Sequence, residues 1–323
     1  MTRLGRRLGY GLLACAFSAT LQAGSLTFTH ENDLFSNHDR RYTSGIQLAW
    51  MPKTPPPDWL RSLGESIPLF SQQAQFRYGY TLGQAMFTAS DIRQTHPPLD
   101  DRPYAGWLYT GVSMIGEYEN NLAMLSVTLG IVGPASLAAE SQTWLHQQIG
   151  SEQPKGWGTQ LHNEPGLNLS YFRSWRGWIT TTLIGNELDF TPHIGASLGN
   201  VLTSAKTGFT WRYGQNLPND YGVPRIQPGL PTASQFSLSK GFAWYLFAGA
   251  EGRAVARNIF LDGNSFGQSR RVNKMPFVGD VQLGLAIQWT QFRLSYTHVF
   301  QSKEYETQAQ NDSFGGLTLS FQY

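Results

Sequence analysis

The last nine residues constrain the fold most. Gly315-Gly316-Leu317-Thr318-Leu319-Ser320-Phe321-Gln322-Tyr323 alternate between apolar and polar and stop on an aromatic. A period of two places Leu317, Leu319, Phe321 and Tyr323 on one face of a strand. Similar runs recur near 25–32, 41–51, 73–88, 102–117, 120–132, 163–178, 186–200, 203–213, 241–258, 276–289, 291–304 and 312–323. Past the N-terminus no stretch offers about 18 consecutive apolar residues, which excludes membrane-crossing helices. Twelve alternating segments predict an all-β fold, a twelve-stranded antiparallel transmembrane β-barrel of the bacterial outer-membrane type. For the last segment taken alone, an ordinary sandwich edge strand is the alternative.

Composition agrees. Charged residues are 14% and aromatics 13%, with 34 Gly and 10 Trp. Disorder needs the opposite balance, and the lack of a basic tract argues against a nucleic-acid partner. Trp107, Trp244, Tyr245, Trp289 and Tyr296 are candidates for interface belts.

The N-terminus reads as a targeting segment. Arg3, Arg6 and Arg7 form a positive start, Leu8 to Phe17 an apolar run, and Leu21-Gln22-Ala23 a cleavage site, although Leu21 is large for it. The expected division is a signal peptide over 1–23 and a barrel domain over 24–323. Cleavage removes three arginines and no acid, leaving 21 basic against 22 acidic residues. Leu12-Leu13-Ala14-Cys15 also has the form of a lipobox, with Cys15 as the acylated residue. Cys15 is the only cysteine, so a chain cleaved after Ala23 must be stable without disulfides. A closed barrel meets that demand by pairing its backbone around the ring.

If the first strand runs outward, connections 33–40, 89–101, 133–162, 259–275 and 305–311 share the outer face. Within 133–162, Ser136 to Ile149 lacks Gly and Pro and reads as a helix between Pro134 and Gly150. Two long segments, Pro52 to Ser71 and Gln215 to Ser239, fall on the other side. Either they are structured inner loops or the strand boundaries beside them are misplaced.

Polar residues gather at the outer face. The first strand ends in His30-Glu31-Asn32-Asp33, poor strand chemistry that makes sense if the oxygens hold a hard cation or orient a water; an ordinary turn entry is the alternative. Thr43 opens the next strand. Asp100-Asp101-Arg102-Pro103-Tyr104-Ala105-Gly106-Trp107 opens the fourth, where Arg102 either meets a phosphate or pairs with nearby acids. His146 and Glu152 flank the end of the helix. Topology collects Asn32, Asp33, Thr43, Arg102, His146 and Glu152 at one rim, a pattern suited to water activation. There is no His-Glu-x-x-His zinc helix, and Gly195-Ala196-Ser197-Leu198-Gly199 sits within a strand.

These residues resemble the outer-membrane lipid A 3'-O-deacylase family. The resemblance rests on Glu31-Asn32-Asp33, Tyr42-Thr43-Ser44-Gly45, Asp101 to Gly106, the His146 to Trp157 stretch, Gly195 to Asn200, Ala248 to Arg253 and the last strand. It implies Ca2+-dependent hydrolysis of the ester that holds the 3' acyl chain of lipid A, at a site facing the extracellular side. Carried over by position, His146 is the base, Asn32 and Thr43 are site residues, and Asp33 and Glu152 hold the metal. Arg102 and Lys155 are expected on the substrate phosphates. The segment Pro97 to Asp101 departs from the family's basic pair. The resemblance also implies lipopolysaccharide as substrate, the outer membrane as location and the barrel assembly machinery as partner. A passive barrel, such as a porin, and an outer-membrane phospholipase are the competing classes. The phospholipase would need a Ser-His-Asn arrangement that the sequence lacks.

Overall fold

The computed structural model describes residues 24–33, 42–221, 225–226 and 241–323, with the backbone alone at 42 and 43. The expected signal peptide, Cys15 and the side chain of Thr43 lie outside the described residues.

Among the described residues thirteen strands and three α-helices follow in chain order: β1 (Gly24–Asn32), β2 (Tyr42–Pro52), α1 (Asp58–Ser66), β3 (Gln75–Phe87), β4 (Ala105–Tyr118), β5 (Asn121–Val132), α2 (Ala138–Ile149), β6 (Glu164–Trp175), β7 (Ile179–Leu183), β8 (Asn186–Gly199), β9 (Leu202–Gln215), β10 (Phe242–Asn258), α3 (Ile259–Asp262), β11 (Phe277–Trp289), β12 (Phe292–Gln301) and β13 (Asp312–Gln322). The sheet is antiparallel, and β1 pairs with both β2 and β13 to close the ring. β7 is not an extra stave. It and β6 lie along the same edge of β8, β6 against His193–Gly199 and β7 against Asn186–Phe190. Counting β6 and β7 as one interrupted line gives the twelve staves expected from the alternation.

Alternation sorts the side chains. Phe28, Leu82, Leu283 and Leu317 face outward and are exposed. Many inward positions are polar and paired: Thr27 donates to Ser320 Oγ at 2.9 Å and the Tyr109 hydroxyl to Gln47 Oε1 at 3.0 Å. Two-residue turns at Glu119-Asn120 and Thr290-Gln291 join β4 to β5 and β11 to β12, with φ of +52° at Glu119 and +33° at Thr290. Two of the expected belt aromatics are misplaced by the sequence reading. Trp107 and Tyr245 occupy inward positions and are buried, whereas Trp289 is exposed.

Of the two long connections at the lower end, where Gly24 and Tyr323 meet, the first contains a helix and the second is described at 216–221 and 225–226. After Pro52, α1 folds against the outer wall, burying Leu60 on Phe70, Met114 and Phe76 while Trp59 and Leu63 stay exposed. After Gln215 the chain enters the lumen. Asp220 accepts from Arg212 Nη1 at 2.5 Å and also pairs with Arg293. Further along, the Tyr221 hydroxyl donates to Glu117 at 3.1 Å, Arg225 to Asp280 at 3.2 Å, and the Ile226 amide to Glu31 at 2.8 Å. These partners lie on β9, β12, β4, β11 and β1. One inner segment is thus tied to walls all round the ring, since buried charges are tolerated only when paired.

Candidate functional site on the outer wall

At the upper end a row of outward positions crosses four strands in register. Asn32 of β1 pairs with Ser44 of β2, Ser44 with Met86 of β3, and Met86 with Gly106 of β4. The row is about 14 Å wide at ~4.8 Å per strand. All three of its side chains are buried although they face away from the lumen. Below Asn32, His30 Nε2 lies 3.3 Å from Ser44 Oγ.

The β5–β6 connection covers one end of this row. A Cβ at Gly106 would stand 2.0 Å from Ser136 Oγ and 2.3 Å from Ala138 Cβ, so the start of α2 sits where only glycine leaves room. Gln84 Nε2 donates to the Ser136 carbonyl at 2.6 Å. α2 presents Ala138, Gln142 and His146 as its buried face, at the i, i+4, i+8 spacing of one helical side. Ala138 packs with Met86, Tyr104 and Trp157, and Trp157 Nε1 donates to Gln142 Oε1 at 2.8 Å. Gly150, in the left-handed region at φ +69°, ends the helix, with its amide on the His146 carbonyl. The chain then turns back beneath His146.

That turn orients the histidine. His146 is buried, and its Nδ1 lies 2.5 Å from the main-chain oxygen of Glu152. A carbonyl only accepts, so Nδ1 carries the hydrogen and, in the neutral ring, Nε2 carries the lone pair. The Glu152 carboxylate turns the other way. It is 66% exposed and lies 3.8 Å from Arg93 Nε. The structure therefore joins His146 to Glu152 through the backbone and not through the acid.

The remaining candidates separate. Asn32 and Asp33 are buried where β1 ends. Lys155 is exposed beyond α2, its amide donating to the Ile92 carbonyl at 2.8 Å. Arg102 departs from the rim position expected of it. It is 1% exposed, 2.9 Å from Glu304 and stacked 4.9 Å over the ring of inward-facing Phe87, on the opposite side of the wall from α2. The cause is Pro103, which breaks the alternation before β4 begins. Its neighbour Asp101 clamps the loops, accepting from the Ser90 amide and the Arg102 amide at 2.8 Å each and from the Tyr305 hydroxyl at 2.7 Å. Burial pushes the Asp101 pKa up, but these hydrogen bonds outweigh it and hold it below the usual aspartate value. Among the described residues no three His, Cys, Asp or Glu side chains form a metal cluster.

The family described as outer membrane protein LpxR matches residues 8–323. The chain belongs to the LpxR family. Among the described residues no helix is long and apolar enough to cross a membrane, so an outer-membrane location for this LpxR-family chain rests on its strands. The solved structure of LpxR from Salmonella typhimurium superposes with a TM-score of 0.73 at 20% identity, covering 93% of this chain and 100% of that one. The β domain of the Bordetella autotransporter BrkA gives a TM-score of 0.44 at 8% identity, over 93% and 98% of the two chains. No curated protein matches in sequence.

The candidate site includes residues to which the sequence assigned no role: Ser44 and Met86 in the row, Gln142 on α2 and Trp157 beneath it. The spacing of Ala138, Gln142 and His146 was a usable signal for Gln142. Ser44 and Met86 are visible only in register.

Proposed function

We propose that this LpxR-family barrel is a lipid A 3'-O-deacylase, an ester hydrolase acting from its outer wall on the extracellular side. The observation that carries the reading is the His146–Glu152 contact, which orients a histidine on a helix docked against the outward side of the barrel wall and so supports its use as a base. From Ala138 to His146 α2 advances about 12 Å, a reach comparable to the Gly106-to-Asn32 row. His146 Nε2 takes a proton from water, and that water attacks the ester carbonyl. The protonated ring then returns the proton to the departing sugar oxygen. Asn32 and Thr43 orient water or carbonyl.

The donors at Asn32 and Asp33 are hard oxygens, one of them a buried carboxylate, and such donors fit Ca2+. Asp33 would hold the ion with the Asn32 amide oxygen, and the bound charge would stabilise the oxyanion. Glu152 serves by its carbonyl in this reading. Lys155 is placed for substrate phosphates, and Arg102 is given up for that role because Glu304 holds it inside. The segment through the lumen argues against a porin.

The test is mass spectrometry of lipid A from a Gram-negative host expressing the wild type, His146→Ala and Asp33→Asn, with and without a calcium chelator. Loss of one 3'-linked acyl group in the wild type alone, suppressed by the chelator, is the expected result. Unchanged lipid A from a folded wild-type barrel would overturn it.

A further inference from the structure

A second feature of the outer wall belongs to none of the residues above. Thr207 of β9, Gly252 of β10 and Gly279 of β11 are successive cross-strand partners, and the Gly279 carbonyl accepts from the Ser302 amide at 2.8 Å. Four small residues thus make one band across neighbouring strands. Phe209, Val281 and Phe300 project beside it, 36%, 50% and 49% exposed. A Cβ on Gly252 meets nothing within 4 Å, and one on Gly279 only the Glu251 carbonyl at 3.9 Å. Neither glycine is needed for packing or for a positive φ. Their effect is a hollow of about 860 Å³, edged by Asp33, Asn311 and Asp312.

We infer that this hollow holds an acyl chain of the lipid whose ester is cut, one that is not itself hydrolysed. Glycine inside a strand often marks a place where a ligand comes close to the backbone, and the volume falls within the ~300–1,000 Å³ of ligand sites. The lining is graded as a lipid is: acids and an amide at one edge, aromatic and aliphatic side chains at the other. Asp33, at the polar edge, follows Asn32 of the candidate site, so a single lipid can span both. A second copy of the chain fits less well, because a concave patch cannot fill its own hollow across a two-fold axis. The inference rests on the lipid A reading and is tested separately from it.

Gly252→Leu and Gly279→Leu fill the hollow with side chains that lipid-facing strands accept. Gly252→Ala fills it less, and Val127→Leu on the outward face of β5 is the control. In mixed micelles of lipid A and detergent, KM should rise about tenfold in the leucine variants, equivalent to some two methylene groups left exposed. kcat should stay constant, with a smaller rise for Gly252→Ala and none for the control. Equal KM values in active, folded variants would overturn the inference. So would crosslinking that finds the wild type paired through this face. If the wild type cleaves nothing, native mass spectrometry with added lipid A decides instead. Retention by the wild type and loss in both leucine variants supports the hollow, and equal retention rejects it.

Discussion

His146 Nδ1 meets Glu152 at its main-chain oxygen, 2.5 Å away, while the Glu152 carboxylate faces Arg93 in solvent. The two residues are bound by chain geometry, and the acid itself is spare. Glu152→Ala should therefore retain activity within about threefold, whereas His146→Ala should lose the ~10²–10⁴ of a general base. Initial rates on lipid A in micelles separate the two. A Glu152→Ala variant as inactive as His146→Ala would return the carboxylate to the metal.

Gly106 decides whether α2 docks. Any side chain there collides with Ser136 and Ala138, which lifts the start of the helix. Gly106→Val should cost about 100-fold in rate, the penalty of a misplaced catalytic group. The folded barrel should still migrate as such on an unheated gel. Full activity would mean that the helix position does not matter.

Asp220 is shared by Arg212 and Arg293, all three fully or almost fully buried. Asp220→Asn removes the carboxylate that the two arginines share, leaving Arg212 to Asp189, and should destabilise the barrel by about 3–5 kcal/mol. Denaturant titration of the refolded protein measures it. A shift under 1 kcal/mol would show that water screens the lumen.

The Asp101 clamp has a pH signature. Its folded pKa lies below the usual ~3.9. The clamp's contribution is therefore complete above that value and fades as pH falls through the lower folded pKa. Hydrogen exchange in the 88–104 and 302–311 loops should quicken only below about pH 4. Asp101→Asn should remove this dependence. A transition at neutral pH would point to another group.

Much of this architecture is legible in the sequence, because the strand period is two and the wall has two contrasting sides. The twelve staves follow from that period, and the helix ending at Ile149 from a stretch without Gly or Pro between Pro134 and Gly150. β7 escapes it because all five of its residues are exposed, so no face alternates. α1 escapes because prolines precede it and its apolar face is short. The inner segment carries Pro, Asp and Arg, which read as a loop whether it lies in water or inside a barrel. The site divides in the same way. His146 and the end of β1 are marked by residue type, but Arg102 follows no strand period and turned inward unseen. The Asn32–Ser44–Met86–Gly106 row exists only through pairing.

The row across β1 to β4 has a kinetic consequence. A catalyst on the membrane-facing side of a barrel meets its substrate by lateral diffusion within a two-dimensional film, with no passage through the lumen. Its turnover then follows the surface density of lipid, so diluting the lipid with detergent slows it even when the bulk concentration is unchanged. A lumen with no transport role can hold paired charges, and these brace from behind the wall that carries the candidate site.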